Sequence, residues 1–353
     1  MHNQRRNSLR QSLNGDWALF TDQISINYLA GFTGSNGLLA LGPSEADDLL
    51  VTDGRYRERV KPLESEIAVQ ISSNLFDNLK KHLPGGTKLV VDPKNISLAE
   101  NLLIEEFIDK VELKAQNNLL NEIRMTKDAT EIELISKACE ITSQSLWYLI
   151  NDLRPGMTER QIAKLFWQSA LDRGADDLAF ATIVASGPNG ASPHHEPTGR
   201  VIERGDMVTI DCGVKVAGYN SDMTRTVFIG STNSWQEEIY QLTMQAQQEA
   251  IAKAQIGMSA GSIDSIAREI IGNGGFGEYF VHGTGHGVGL EIHEAPFITK
   301  GNHTELKENY CFTVEPGIYM PGQGGVRIED TCILTVEGLK ILTRGSHEIV
   351  CVG

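Results

Sequence analysis

The sequence predicts an α/β chain, more strictly α+β, in two regions: a smaller α/β layer domain over residues 1–118 and a larger domain over residues 119–353. Three observations predict it. Short apolar strands alternate with helices in the N-terminal region. Long, well-capped helices open the C-terminal region. Within the larger domain, a helical phrase occurs twice, as GMTERQIAKLFWQSALDRG from Gly156 and GMSAGSIDSIAREIIGNGG from Gly257.

In the N-terminal region WALFT reads as a strand, ISINYLAGF is mixed, and GLLAL and DLLVTDGRY read as strands split by turn residues. LFDNLKKHL reads as a helix, KLVVDP as a strand and SLAENLLIEEFI as a helix. KAQNNLLNEIR then loses strand patterning, which sets the boundary near Asn118. Beyond it Asp128 and Glu131 form a capping box, reciprocally satisfying backbone donors at a helix start. Ile132, Ile135, Cys139, Thr142, Leu146 and Leu149 follow at three- and four-residue steps, which is one helix face. Thr158 and Gln161 form a second box on a helix that stops at Gly174. Ser234 and Glu237 open a third helix, and Gly272 closes a fourth.

Each copy of the repeated phrase is preceded by a long helix. Each is followed by an aromatic stretch (LAF, EYF), a histidine-bearing Gly/Pro loop and two strands carrying two acids. Two copies are too few for a solenoid. They predict two similar half-domains facing each other, with any site on the seam drawing ligands from both.

Composition bounds the partners. The formal net charge is −15, with 41% hydrophobic and 22% charged residues. An acidic surface disfavours nucleic acid and anionic membranes. Cys139, Cys212, Cys311, Cys332 and Cys351 are odd in number and contain no C-x-x-C, so neither a disulfide framework nor a thiolate zinc site is expected. The polar N-terminus lacks an apolar h-region, and no apolar run is long enough to span a bilayer; the expected location is the cytoplasm.

Five residues of the larger domain stand out. In MVTIDCGVKVAGYNSDMTRTVFIG, two strands joined by a turn near Gly218, Asp211 lies in an apolar strand and Asp222 at the start of its return. CFTVEPGIYMPGQGGVRIEDTCIL repeats the plan with Glu315 and Glu329. Unpaired carboxylates are costly to bury, and like charges on paired strands repel unless a proton or cation lies between them. His286 sits in FVHGTGHGVGLEIHEAP, where glycines allow close backbone approach. Four carboxylates and one imidazole suit a pair of divalent ions, tuned toward Mn, Co, Zn or Fe rather than Ca. Asp330 is one residue out of phase with Glu329 and belongs to the opposite strand face. GNGGFG, from Gly272, matches a dinucleotide fingerprint but follows a helix, so that reading fails.

HGTGHGVGLEIHE, VEPGIY, GGVRIED and IDCG…SDMTRT, together with YLAGFTGSNG and TDGRY in the N-terminal region, resemble the proline-specific members of the creatinase/methionine-aminopeptidase, or pita-bread, metallopeptidase family. The resemblance covers essentially the whole chain. It implies a creatinase-like N-terminal domain over residues 1–118 and a pita-bread catalytic domain with a pseudo-twofold repeat over 119–353.

By that resemblance Asp211 would hold a first metal, Asp222 and Glu329 would bridge two, and His286 and Glu315 would complete the second site. His194 would be the substrate-loop histidine and His293 a second catalytic histidine, with Glu315 as the general base. His282, Arg327 and Tyr319 would line the C-terminal side of the substrate. SPHHEP departs from the His-Gly of many relatives, which leaves the role of His195 open. The resemblance implies two divalent ions, manganese foremost, proline-containing peptides as substrates, and a homodimer. The expected activity is cleavage of the Xaa-Pro bond at the start of peptides, as in aminopeptidase P, with the Xaa-Pro dipeptidase prolidase as the alternative. Methionine aminopeptidase and a metal-free peptide-binding module are further readings. For Asp53, Arg55 and Tyr56 of TDGRY a structural role is preferred to one across a dimer.

Overall fold

The computed structural model describes residues 1–108 and 111–353. The chain forms two compact units, Met1–Ile123 and Arg124–Gly353.

The first unit is a mixed six-stranded sheet with helices α1 (His2–Leu13), α2 (Gln23–Ala30), α3 (Arg57–Val60), α4 (Leu75–His82) and α5 (Leu98–Phe107). Its strands are β1 (Trp17–Phe20), β2 (Gly37–Leu41), β3 (Leu49–Thr52), β4 (Ala68–Ile71), β5 (Lys88–Val91) and β6 (Glu112–Ala115), in the order β4-β3-β2-β1-β5-β6. Trp17, Leu19, Leu38, Val51, Leu79, Leu89 and Ile104 form its core. The stretch of mixed character is α2, started by Asp22 accepting from the Ser25 amide and ended at Gly31, where φ is 72°. The polar N-terminus forms α1: Leu9 and Leu13 are buried, and the buried Arg6 guanidinium is neutralised by Asp48 at 3.0 Å. In TDGRY, Asp53 accepts from the Arg55 amide and side chain and from Asn36, and Tyr56 meets the Ser35 hydroxyl. These bonds pin the end of β3.

The second unit opens at the end of α6 (Asn121–Met125) and carries α7 (Ala129–Asp152), α8 (Glu159–Asp172), α9 (Ser234–Lys253) and α10 (Ala260–Asn273). The boxes at Asp128/Glu131 and Thr158/Gln161 are present. For α9 the cap is Asn233, not Ser234. Asn233 is extended and its side chain accepts from the Gln236 amide, whereas Ser234 is already helical. The last helix also runs past Gly272, because the left-handed turn that ends such helices comes at Gly275, where φ is 87°.

Its strands are β7 (Asp177–Leu178), β8 (Ile183–Ser186), β9 (Met207–Cys212), β10 (Val214–Val216), β11 (Tyr219–Asn220), β12 (Met223–Ile229), β13 (Gly285–Gly287), β14 (Glu294–Ile298), β15 (Cys311–Val314), β16 (Gly317–Met320), β17 (Gly324–Arg327), β18 (Glu329–Thr335), β19 (Gly338–Ile341) and β20 (Cys351–Val352). The main sheet runs β14-β13-β15-β18-β12-β9-β8, with β19 added on β18 and β20 on β12. The acid-bearing strand pairs β9/β12 and β15/β18 therefore meet at the β12–β18 seam. The connections within them are more than turns. β10 and β11 leave the main sheet for a small one in the order β11-β10-β7, and β16 and β17 pair with each other. At Gly213, where the first excursion starts, a Cβ would lie 2.0 Å from the Ser221 carbonyl oxygen, so only glycine fits. Each half has its own core: Ile162, Phe166, Val184, Ile210 and Val227 in one, Ile239, Ala267, Phe312, Ile328 and Leu334 in the other.

Candidate metal centre

Strand register assembles the acids. Thr224 of β12 lies opposite Asp211 of β9 on one side and Glu329 of β18 on the other. Asp222 precedes Thr224 by two residues and shares its face. Val314 pairs with Asp330, which brings Glu315 level with Glu329. Asp330 takes the opposite face. It accepts from Arg225 at 2.8 Å, Gln247 at 2.7 Å and Thr343 at 2.7 Å, with His347 at 2.5 Å.

His286 comes from β13 between two glycines, where a Cβ at Gly285 would lie 1.9 Å from the Thr313 carbonyl oxygen. Its Nδ1–H donates to the Gly287 carbonyl at 3.1 Å, which leaves Nε2 as the free base facing the acids. Nε2 is 3.3 Å from Glu315 Oε1 and 3.6 Å from Asp222 Oδ2. One ligand atom from each of Asp222, His286 and Glu329 lies within 4.8 Å of the others.

These residues fit a divalent cation. Asp211 Oδ1 and Asp222 Oδ1 are buried without a hydrogen-bond partner, an arrangement that costs free energy until a cation supplies the missing contact. Burial, reinforced by neighbouring carboxylates, pushes Asp222 and Glu329 far above the usual carboxylate range. Burial raises Glu315 as well. Burial also lowers His282, His286 and His293, so these imidazoles are neutral near pH 7. A neutral imidazole among acids that resist ionising is a donor set waiting for positive charge.

Arg327, at the end of β17, supplies one fixed charge. It donates to Asp211 Oδ2 at 2.6 Å, the Tyr319 hydroxyl at 2.8 Å and Thr224 Oγ1 at 3.1 Å. Thr224 donates its own hydroxyl proton to Glu329 Oε2 at 2.6 Å, and His282 Nε2 lies 2.8 Å from the Tyr319 hydroxyl. Burial pushes that phenol up to about 12, so it stays protonated. Asp211 is thus shared between the centre and Arg327.

A cleft of about 490 Å³ opens over the centre. Asp211, Asp222, His286, Glu315, Glu329, His282, Arg327, His194 and His293 all line it; Tyr319 stands behind Arg327. His194 and His293 are exposed on its rims, and the His293 ring centroid is 4.2 Å from that of His286. His195 also borders the cleft, with its Nε2 2.9 Å from Glu159 Oε2. The sequence reading missed Thr224, Thr313 and Glu159. Thr313 accepts from the His286 amide and donates to Glu315 Oε1, both at 3.1 Å. The two threonines sit at the right strand parity, which was the available signal. Glu159 reads as an ordinary first-turn acid of a helix.

Comparison with known proteins places the chain. Residues 133–336 match the model of metallopeptidase family M24, and residues 5–126 match the creatinase/prolidase N-terminal domain. A Xaa-Pro dipeptidase of Pyrococcus furiosus is 39% identical over 336 residues, 95% of either chain. Among solved structures, a Xaa-Pro dipeptidase from Bacillus anthracis has a TM-score of 0.94 at 32% identity and covers 99% of each chain. An X-Pro aminopeptidase from Thermotoga maritima has a TM-score of 0.90 at 34% identity, covering 98% of this chain and 100% of its own. The chain has a pita-bread C-terminal domain behind a creatinase-type N-terminal domain, and it belongs to metallopeptidase family M24.

Proposed function

We propose that this metallopeptidase is a Xaa-Pro dipeptidase, a prolidase, with two divalent ions, manganese foremost and cobalt, zinc or iron as substitutes. The carrying observation is that relatives at 39% and 40% identity, from Pyrococcus furiosus and Pyrococcus horikoshii, matched over 95% and 88% of their lengths, bear the name Xaa-Pro dipeptidase. This reverses the order expected from sequence, where the aminopeptidase came first. The aminopeptidase keeps second place through the Thermotoga maritima structure.

Asp211, Asp222, His286, Glu315 and Glu329 would hold the ions, with Asp222 and Glu329 shared between them, in keeping with their place at the β12–β18 seam. Bound ions would supply the charge that lowers the pKa of a water and polarises the scissile carbonyl. Glu315 takes the proton from the attacking water and passes it to the leaving nitrogen as the C–N bond breaks. Its carboxylate is oriented by the Thr313 hydroxyl. His293 and His194, one on each rim, donate hydrogen bonds to the tetrahedral oxygen and the leaving nitrogen. That nitrogen is the proline ring amine, which carries no hydrogen in the peptide, so the site reads ring shape rather than an amide donor. On the far side, Arg327, Tyr319 and His282 form a hydrogen-bonded chain whose cationic end suits the free carboxylate of a dipeptide.

The test is hydrolysis of Ala-Pro against Ala-Pro-Ala with manganese. Cleavage of Ala-Pro alone supports the dipeptidase, whereas faster cleavage of Ala-Pro-Ala restores the aminopeptidase. Failure to cleave either with any divalent metal overturns both.

A further inference from the structure

One buried carboxylate outside the metal centre carries an unusual load. Glu159, the first residue of α8, is wholly buried. Its Oε1 accepts from the Ser186 amide at 2.9 Å, the Ser186 hydroxyl at 2.7 Å and the Asn189 side chain at 2.9 Å. Its Oε2 accepts from His195 Nε2 at 2.9 Å, the Thr198 amide at 2.9 Å and the Thr198 hydroxyl at 2.7 Å. One oxygen therefore holds the start of the segment 186–198 and the other holds its end. Although burial opposes ionisation, the donors outweigh it and hold this carboxyl at about 2. The anion is thus present throughout the neutral range.

The segment between the two anchor points is the cleft wall that carries His194. Pro193, His194, His195 and Pro197 all line the cleft, and the Pro193 carbonyl accepts from Arg327 at 3.3 Å. His194 itself sits at the exposed apex, between residues tied at both ends. Loops are mobile unless their backbone groups are fixed, and a misplacement of about 1 Å at a reacting group can cost roughly 100-fold in rate.

We propose that Glu159 is a positioning residue: it clamps both ends of the segment 186–198, with His195 as the handle, and so holds His194 at the rim in reach of the substrate. This rests on the peptidase reading above. A carboxylate is required because six donors converge on it. A glutamine would present an amide N–H₂ to three of them.

The experiment uses the full-length, metal-loaded protein. Glu159→Gln is compared with wild type, with His194→Ala and with the double variant, using Ala-Pro as substrate. Thr198→Val, which removes one of the six donors, serves as the milder probe should Glu159→Gln fold poorly. Glu159→Gln is expected to lower kcat/KM about 10- to 100-fold while metal content is unchanged. On the His194→Ala background the same change should cost less than about 3-fold, because the group it positions is gone. Amide exchange at Ser186 and Thr198 should accelerate at least about 10-fold. An equal loss on both backgrounds, or unaltered exchange, overturns the proposal. Should the wild type cleave neither Ala-Pro nor Ala-Pro-Ala, the function falls, but exchange at Ser186 and Thr198 still decides whether Glu159 is the clamp.

Discussion

The two halves of the C-terminal unit share a plan and divide the chemistry unequally. Each has a helix pair, an acid-bearing strand pair interrupted by a side hairpin, and its own core. Each also reaches across the seam with a threonine: Thr224 to Glu329, Thr331 to Asp222. The contacts differ in kind. Thr224 donates to the Glu329 carboxylate. The Thr331 hydroxyl instead accepts from the Asp222 amide and donates to the Asp222 carbonyl. Glu315 likewise has Thr313, while Asp222 Oδ1 has no partner. The acids of the second half are thus partly solvated, Glu329 by Thr224 from across the seam and Glu315 by its own Thr313, and this half also contributes His286 and Arg327. The first half offers short aspartates that the fold leaves for a cation to satisfy.

Breaking that asymmetry should give the largest effect. Asp222→Asn should reduce Ala-Pro hydrolysis by at least ~10³-fold, which is about 4 kcal/mol of barrier. The metal-free protein should respond in the opposite sense. The folded Asp222 value is raised well above the ordinary 3.8, so its contribution to stability is present below about pH 4 and is lost as pH rises through the folded value. As pH rises the metal-free wild type must either hold a proton on Asp222 or carry a buried charge there, and asparagine needs neither. We therefore expect metal-free Asp222→Asn at pH 8 to be more stable than metal-free wild type by about 1–2 kcal/mol. It should also lose the stabilisation expected from manganese on the wild type, about 2.7 kcal/mol at 100-fold over the dissociation constant. Calorimetry with and without a chelator reads both, and the transition of the first unit should stay put. A metal-free variant less stable than wild type would mean that Asp222 is held by contacts within the protein.

Much of this centre was legible in the sequence for a physical reason. Carboxylates within apolar strands are expensive, so Asp211, Asp222, Glu315 and Glu329 announce a compensating charge by type and parity alone. The same alternation set Asp330 apart. Histidine flanked by glycine signalled close approach, and the Gly285 geometry gives the cause. What the residue string did not carry was partnership at long range. Nothing local tells that Glu159 meets Thr198, that Arg327 meets Asp211, or that the polar N-terminal helix buries Arg6 against Asp48. The side hairpins were also hidden, because a strand that leaves one sheet for another keeps the same alternation. The cap of α9 went to the neighbouring residue because Asn233 and Ser234 are both good caps, and only backbone conformation separates them.

On the back of the sheet the second half's Asp330 forms a buried ion pair with Arg225 of β12. Although burial pushes the Asp330 carboxyl up, Arg225 and His347 outweigh it and hold it at about 2. A depressed value contributes stability that is present above about pH 4 and is lost as pH falls toward 2. Asp330→Asn should therefore cost about 3 kcal/mol at pH 7, since it leaves Arg225 buried without its anion. It should also flatten the loss of stability between pH 4 and pH 2. Urea midpoints across that range give the answer. An unchanged acid limb would assign acid sensitivity to other carboxylates, of which Glu159, also held at about 2, is the first to try.

The smallest effect concerns the paired long helices α7 and α9, which hold corresponding places in the two halves. Both start with a capping box, Asp128/Glu131 in one and Asn233/Gln236 in the other. Asn233→Ala removes an acceptor from the Gln236 amide and should cost about 1 kcal/mol. Ser234→Ala replaces a residue that is already helical, where alanine is the better helix former, and should change stability by less than about 0.5 kcal/mol in either direction. Denaturant midpoints at constant slope distinguish the two. Neither residue lines the cleft, so kcat/KM for Ala-Pro should stay within about 2-fold of wild type in both. Reversed costs would return the cap to Ser234. A drop in activity with Asn233→Ala would mean that the start of α9 communicates with the seam, and that the second half's helices do more than bury its core.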